Sequence, residues 1–181
     1  MGIVQGVTEF FPVSSTAHLI LLPWFFDWTG EINTLEFDVA LHAGTLLALL
    51  LCFYKDWLDM VLRDRKMLLI IFIGTIPAGV VGALFHKTVE HTLRSPLIIV
   101  FSTTAFGILM LIAEKYGKKN RERSSVADAL FIGAAQAIAL IPGVSRSGIT
   151  ITAGLFKDLT RENAARFSFL LSTPIIGGAM L

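Results

Sequence analysis

Charge is what this sequence has least of. Only 16% of its 181 residues are Asp, Glu, Lys or Arg, while 54% are hydrophobic and the mean hydropathy is +0.71. Soluble domains carry roughly 25% charged residues, so an ordinary soluble fold is excluded and the chain reads as one integral membrane domain, 1–181. The net charge is +1 and no basic run with interleaved aromatics occurs, which argues against a nucleic-acid partner. Cysteine occurs once, as Cys52 in an apolar run, so neither a disulfide framework nor a thiolate metal site can be built. It reads as a small core hydrophobe. No basic n-region follows Met1, so no signal peptide is evident and the first apolar segments are expected to serve as the targeting signal. Gly2-Ile3-Val4-Gln5 at the start and Phe167 to Leu181 at the finish both lie within helical patterns, so the chain reads as a piece of a longer protein.

Between Val126 and Phe156 only Asp128 and Arg146 are charged. Arg146 belongs to Pro142-Gly143-Val144-Ser145-Arg146-Ser147-Gly148-Ile149-Thr150, a polar break inside an apolar run. An isolated Arg in hydrocarbon costs several kcal/mol, so it must face protein, water or an anion. Glycines and hydroxyls beside it expose backbone N–H and O–H donors, the chemistry of a phosphate cradle. The alternative is an Arg paired with a structural carboxylate.

An earlier stretch has the same form. Residues 2–11 read as a short helix ended by Pro12, followed by the corner Ser14-Ser15-Thr16-Ala17-His18 and a returning piece, Leu19 to Phe26. Neither half reaches the ~20 residues a span needs, so a re-entrant hairpin fits better. An acidic connector, 27–38, is flanked by Trp24 and Trp28 as interfacial indoles. Spans are expected at about Val39–Trp57, Met67–Phe85 (kinked at Gly74-Thr75-Ile76-Pro77) and Leu97–Ala113. The 55–66 loop holds four Lys/Arg and the 115–123 loop five, against two in 86–96. The positive-inside rule therefore puts the two basic loops in the cytoplasm, and the first hairpin dips in from outside. Ser125-Val126-Ala127-Asp128 caps a helix to about Ile141, Pro142 ends it, and Ile149–Phe156 returns, so the second hairpin dips in from inside. Thr160-Arg161-Glu162-Asn163 opens a last span.

Overlaid, Gln5 matches Gln136, Pro12 matches Pro142, and Val13-Ser14-Ser15-Thr16-Ala17 matches Val144-Ser145-Arg146-Ser147-Gly148. The fold expected is an all-α polytopic helical bundle with two re-entrant hairpins in an inverted-topology repeat. Its first repeat is 1–123 and its second 124–181. Such folds bind anions near the midplane, where broken helices meet.

Glu9 is the only charged residue between Met1 and Asp27, and its burial also needs a reason. A structural ion pair with Arg146 is one. Taken together, Glu9, Ser14, Ser15, Thr16 and His18 with Ser145, Arg146, Ser147 and Thr150 supply a nucleophile, an acid/base and a cation, as phosphoryl transfer requires. Ser15 needs a base such as His18 to take its proton; alternatively His18 itself attacks phosphorus. Gln5 and Glu9 share a helix face and can offer hard oxygens to a divalent cation. His42 reads as a hydrogen-bonded bundle histidine, and His86 and His91 as surface residues.

Gln5-Gly6-Val7-Thr8-Glu9-Phe10-Phe11-Pro12-Val13-Ser14-Ser15-Thr16-Ala17-His18 and Pro142 to Thr150 resemble the two signature motifs of the undecaprenyl-diphosphatase (BacA/UppP) family. Phe167-Ser168-Phe169-Leu170-Leu171-Ser172-Thr173-Pro174 is similar to that family's following segment. The resemblance implies an inner-membrane enzyme that hydrolyses undecaprenyl diphosphate to the monophosphate and recycles the lipid carrier of cell-wall synthesis. It further implies a site facing outward, a divalent cation (Mg2+ or Ca2+) and homodimers. Glu9, Ser15, His18 and Arg146 match its functional residues; Ser14, Thr16, Ser145, Ser147 and Thr150 are the supporting phosphate donors. Gln5 stands where many members carry Glu, and members run on past Leu181. A flippase or anion transporter on the same inverted repeat is the rival reading. The type-2 phosphatidic-acid phosphatase motif, which also joins Ser, His and Arg, is not found.

Overall fold

The computed structural model describes residues 1–92 and 95–180, with side chains at all of these except 35 and 86–92. The helices are α1 (Gly2–Phe10), α2 (Ser15–Phe25), α3 (Leu35–Cys52), α4 (Tyr54–Leu62), α5 (Arg65–Thr92), α6 (Pro96–Tyr116), α7 (Val126–Ala137), α8 (Arg146–Phe156) and α9 (Arg161–Ala179). Among the described residues no strand forms, only an isolated bridge between Arg121 and Leu159. In lipid, backbone groups must be paired within their own segment, and helices meet that demand.

Among the described residues two helical stretches, Arg65–Phe85 and Pro96–Tyr116, are long and apolar enough to cross a membrane; α3 and α4 make a third only if counted together across a 62° bend. The span expected at about Val39–Trp57 is thus bent at Phe53, between α3 and α4. Lys55, Asp56 and Asp59 cannot continue into hydrocarbon, so the chain turns at Phe53 and α4 follows a new direction. Helix α5 runs through Pro77 to Thr92, so part of the expected 86–96 loop is helical. The side chains of His86, Lys87, Glu90, His91 and Arg94 lie outside the described ones. Helix α9, expected to open a last, truncated span, is not among the described stretches that qualify as spans by length and composition. It keeps Arg161, Glu162 and Arg166 in its first two turns and buries Ser168, Ser172 and Thr173 against protein rather than lipid. Cys52 is exposed at the end of α3, not in the core.

The core lies among α5, α7, α8 and α9, around Ile71, Ile132, Leu155, Phe167 and Leu171. Leu84, Leu97, Phe101 and Leu111 are exposed on α5 and α6, as lipid-facing side chains are. Packing between α5 and α7 is close enough to demand glycine: a Cβ on Gly133 would stand 2.0 Å from the Gly74 carbonyl oxygen.

The two hairpins share their local geometry. Helices of 9 and 11 residues form the first and of 12 and 11 the second. Each breaks at a proline and restarts on a serine cap: Ser14 Oγ accepts from the Ala17 N–H and Ser145 Oγ from the Gly148 N–H. Gln5 and Gln136 are both buried ahead of the break. Helix α6 holds the second tip by its carbonyls, Ser102 Oγ donating to Pro142 O at 2.6 Å and Thr103 Oγ1 to Gly143 O at 2.9 Å. Gly143 has φ +93°, and a Cβ there would lie 2.1 Å from Ser102 Oγ.

Asp128 marks the loop end of α7, outside the spans, in a capping box with Ser125. Burial pushes its carboxyl up, but the Arg121 guanidinium and the Ser125 amide and hydroxyl outweigh burial and hold it down at about 2. Arg121 also donates to Lys157 O, which ties the loop to the end of α8.

Two stability predictions follow from these contacts. Gly143→Ala should cost about 2–4 kcal/mol, a left-handed φ plus overpacking, read as a lower thermal midpoint in detergent. Gly107→Ala, with nothing within 4 Å of its Cβ, is the control and should be neutral or mildly stabilising. Because the Asp128 pKa is lowered on folding from 3.8 to about 2, its contribution is present above pH 4 and is lost as pH falls toward 2. Asp128→Asn should therefore lower stability by about 1 kcal/mol at pH 7, since Arg121 is partly exposed, and the difference should close on acidification.

Candidate active site

Glu9 lies in the last turn of α1 and Arg146 is the first residue of α8. A carboxylate at a helix C-terminus and a cation at an N-terminus are both placed against the helix dipole. Each offsets the other: Arg146 Nη2 donates to Glu9 Oε1 at 2.8 Å, with the side chains 18% and 9% exposed. The pair joins the two hairpin tips. Ser147 Oγ adds a bond to Glu9 O at 3.0 Å, and Gly148 lies against Pro12.

The other carboxylate oxygen, Glu9 Oε2, accepts from Ser15 Oγ at 2.5 Å and from Gln5 Nε2 at 3.1 Å. The Ser15 proton is thus directed at Glu9 rather than at His18. His18 Nδ1 instead meets Ser14 O at 2.8 Å. A carbonyl only accepts, so Nδ1 carries the hydrogen and Nε2 is the nitrogen left for chemistry. Thr16 is half-buried in the first turn of α2. The leading amides of α2, at Ser15 and Thr16, and of α8, at Arg146 and Ser147, have no intrahelical acceptor by helix geometry and suit anionic oxygens.

Not every expected phosphate donor is aimed that way. Thr150 is 1% exposed, and its hydroxyl is engaged with Arg146 O, Ser147 O and Ser168 Oγ. It pins α8 to α9. Ser14 is 2% exposed and caps α2, while Ser145 caps α8 and meets Ser147 Oγ at 3.2 Å. These three hydroxyls build the tips, and the amides, Arg146 and Ser15 are the groups left to face a ligand.

His42 was not expected here. From α3 its Nδ1 meets Asp38 O at 2.8 Å, as a bundle histidine would, but its Nε2 lies 3.8 Å from Glu9 Oε2. No spacing rule links residues 9 and 42, and the lone buried carboxylate was the one available clue.

A resident divalent cation does not fit the residues present. Glu9 is neutralised by Arg146 and already accepts three hydrogen bonds, and Gln5 turns its NH2 toward it. Gln5 Oε1 is buried without a hydrogen-bond partner. Among the described residues no group of three His, Cys, Asp or Glu side chains converges. One neutralised carboxylate and one amide oxygen do not hold a hard cation. A separate cavity of about 540 Å3, near the 55–66 and 115–125 loops, is lined by Asp56, Arg121 and Arg166. Those charges are satisfied within the protein, Arg166 by Asp56 and Arg121 by Asp128.

Comparison with known proteins bears on this arrangement. The sequence model of the bacitracin resistance protein BacA family matches residues 1–181. The chain is 62% identical over 181 residues to an undecaprenyl-diphosphatase of Thermodesulfovibrio yellowstonii, covering 100% of this chain and 70% of that one. It is 47% identical over 191 residues to one of Moorella thermoacetica, covering 100% and 72%. It is 49% identical over 190 residues to one of Nitrosococcus oceani, covering 97% and 71%.

Proposed function

The chain belongs to the bacitracin resistance protein BacA family, and on that premise we propose that it hydrolyses undecaprenyl diphosphate to undecaprenyl monophosphate and phosphate. It is a multi-pass membrane enzyme of bacteria that returns a lipid carrier to cell-wall synthesis. The observation that carries the reading is the Ser15–Glu9–Arg146 line, with a hydroxyl on one carboxylate oxygen at 2.5 Å and a guanidinium on the other at 2.8 Å. A transporter needs anion donors but has no use for a serine bonded to a buried carboxylate, and the relatives named above are diphosphatases.

In the proposed reaction the diphosphate lies at the meeting hairpin tips and the prenyl tail runs out among lipid-facing spans. Arg146 keeps Nη2 on Glu9 and turns its remaining N–H groups to phosphate oxygens, joined by the leading amides of α2 and α8. Ser15 Oγ attacks the terminal phosphorus, its proton passes to Glu9 Oε2, and the bridging P–O bond breaks to release the lipid monophosphate. Water then cleaves the phosphoserine, its oxygen going to phosphorus and the bond to Oγ breaking. His18, through Nε2, handles the proton of that water. A divalent cation belongs to this proposal only as a companion of the diphosphate oxygens, whose negative charge the protein site lacks, and no step is assigned to it.

The membrane topology is part of the same proposal: two re-entrant hairpins of opposite orientation, repeats at 1–123 and 124–181, and a site open to the outer face. Its support is the Lys/Arg asymmetry of the loops and the matching Pro-break and Ser-cap geometry of the two tips. A homodimer, which the family resemblance implies, completes it.

Phosphate release from undecaprenyl diphosphate by purified full-length protein tests the reading. Ser15→Ala should lower kcat by about 10^3-fold or more, and Arg146→Ala should lower kcat/KM by about 10^2–10^3-fold. Near-normal turnover in Arg146→Ala would sink the scheme.

A further inference from the structure

The imidazole beside Glu9, that of His42, has no place in the reaction as described so far. His42 and His18 hold their rings alike, each with Nδ1 at 2.8 Å from the backbone carbonyl four residues earlier, Asp38 O and Ser14 O. That bond fixes the tautomer, so His42 exchanges protons only through Nε2. Nε2 faces Glu9 Oε2 at 3.8 Å, and Oε2 is the oxygen that takes the Ser15 hydroxyl. A histidine satisfied by its backbone carbonyl alone would have no need to turn its other nitrogen on a carboxylate that is 9% exposed.

Resting on the Ser15–Glu9 reading above, we propose that His42 is a positioning residue that acts through Glu9, taking over the Ser15 proton so that Glu9 stays a carboxylate. The reason is structural as much as chemical. Glu9 holds Arg146, and with it the two hairpin tips, by its negative charge. A proton resting on Oε2 would weaken that grip just as Arg146 is needed against phosphate. With His42 the proton leaves Ser15 Oγ, crosses Glu9 Oε2 and rests on Nε2 while the phosphoserine stands. It returns by the same path to Oγ when water breaks the Oγ–P bond. The contact must close by about 1 Å, or through one water, for the transfer.

The ionisable groups around His42 are few. Glu9 faces it from α1, and Arg146 stands behind Glu9 on α8. Asp38 lies on its own helix, one turn back. Helix α9, which packs on α3, has no ionisable side chain from Phe167 to Met180. The pH dependence of turnover is therefore a readout that a purely structural histidine would not move.

The test is kcat and KM for phosphate release as a function of pH, in full-length protein carrying His42→Gln or His42→Asn, each alone and combined with Glu9→Gln. Gln offers a nitrogen near the Nε2 position and Asn one near Nδ1, and neither titrates. The expected result is a 10- to 100-fold fall in kcat with KM within about twofold, and a flatter acid limb than in the unaltered protein. In the Glu9→Gln background the same substitutions should add less than about twofold, because their effect runs through Glu9. An unchanged kcat and pH profile, a full effect persisting in Glu9→Gln, or failure of both variants to fold would overturn the proposal. Loss of activity in Glu9→Gln with His42→Gln unaffected would overturn it alone and leave the Ser15–Glu9 reading standing. Full activity in Glu9→Gln would remove both.

Discussion

Glu9 and Arg146 are 137 residues apart in sequence, sit at the unfavourable ends of their own helices, and meet at 2.8 Å. Each charge alone in this largely apolar chain would be costly, and each is tolerable because the other is there. The pair also fixes the distance between the hairpin tips, which no single helix could set. Around it the smaller contacts fall into place: Ser147 on the Glu9 carbonyl, Gly148 against Pro12, and Ser15 and Gln5 on the free carboxylate oxygen. Removing either partner would leave a buried charge at the meeting point of the two hairpin tips.

That constraint explains why the tips are supported so heavily from behind. Ser102 and Thr103 of α6 hold the carbonyls of Pro142 and Gly143, and Thr150 and Ser168 tie α8 to α9. Hydroxyls that a phosphate site could have used are instead spent on backbone, so the amides they leave free are fixed in direction. A site built this way needs little rearrangement to receive an anion, and preorganised donors of that kind are where electrostatic catalysis gains most.

Much of this was legible in the residues. Pro12 and Pro142, each followed by a serine-rich corner, announce two broken hairpins, and the cap bonds of Ser14 to Ala17 and Ser145 to Gly148 fall at positions that the overlay matches. An isolated Glu and an isolated Arg in apolar runs announce a pair. What was not legible depends on direction rather than identity. Thr150 has the chemistry of a phosphate donor, yet its helix position turns it toward Ser168. Ser15 lies three residues before His18, which suggests a Ser–His pair, but the turn of α2 sends the His18 ring back to Ser14 O and leaves Ser15 facing Glu9. His42 reached the site through the packing of α3 on α1, a long-range fact with no local signal. The bend at Phe53 and the polar, protein-buried α9 show the same limit, since a hydropathy run does not say whether its neighbour is lipid or another helix.

In the proposed reaction Ser15, with its proton on Glu9, carries the phosphoryl group. Rapid quenching of the full-length enzyme in neutral SDS with undecaprenyl diphosphate labelled in its terminal phosphate, followed by acid treatment of the labelled peptides, tests this directly. Acid-stable label on the peptide containing Ser15, as a phosphoserine, is the expected result. Acid-labile label on His18 would contradict it and make the imidazole the nucleophile.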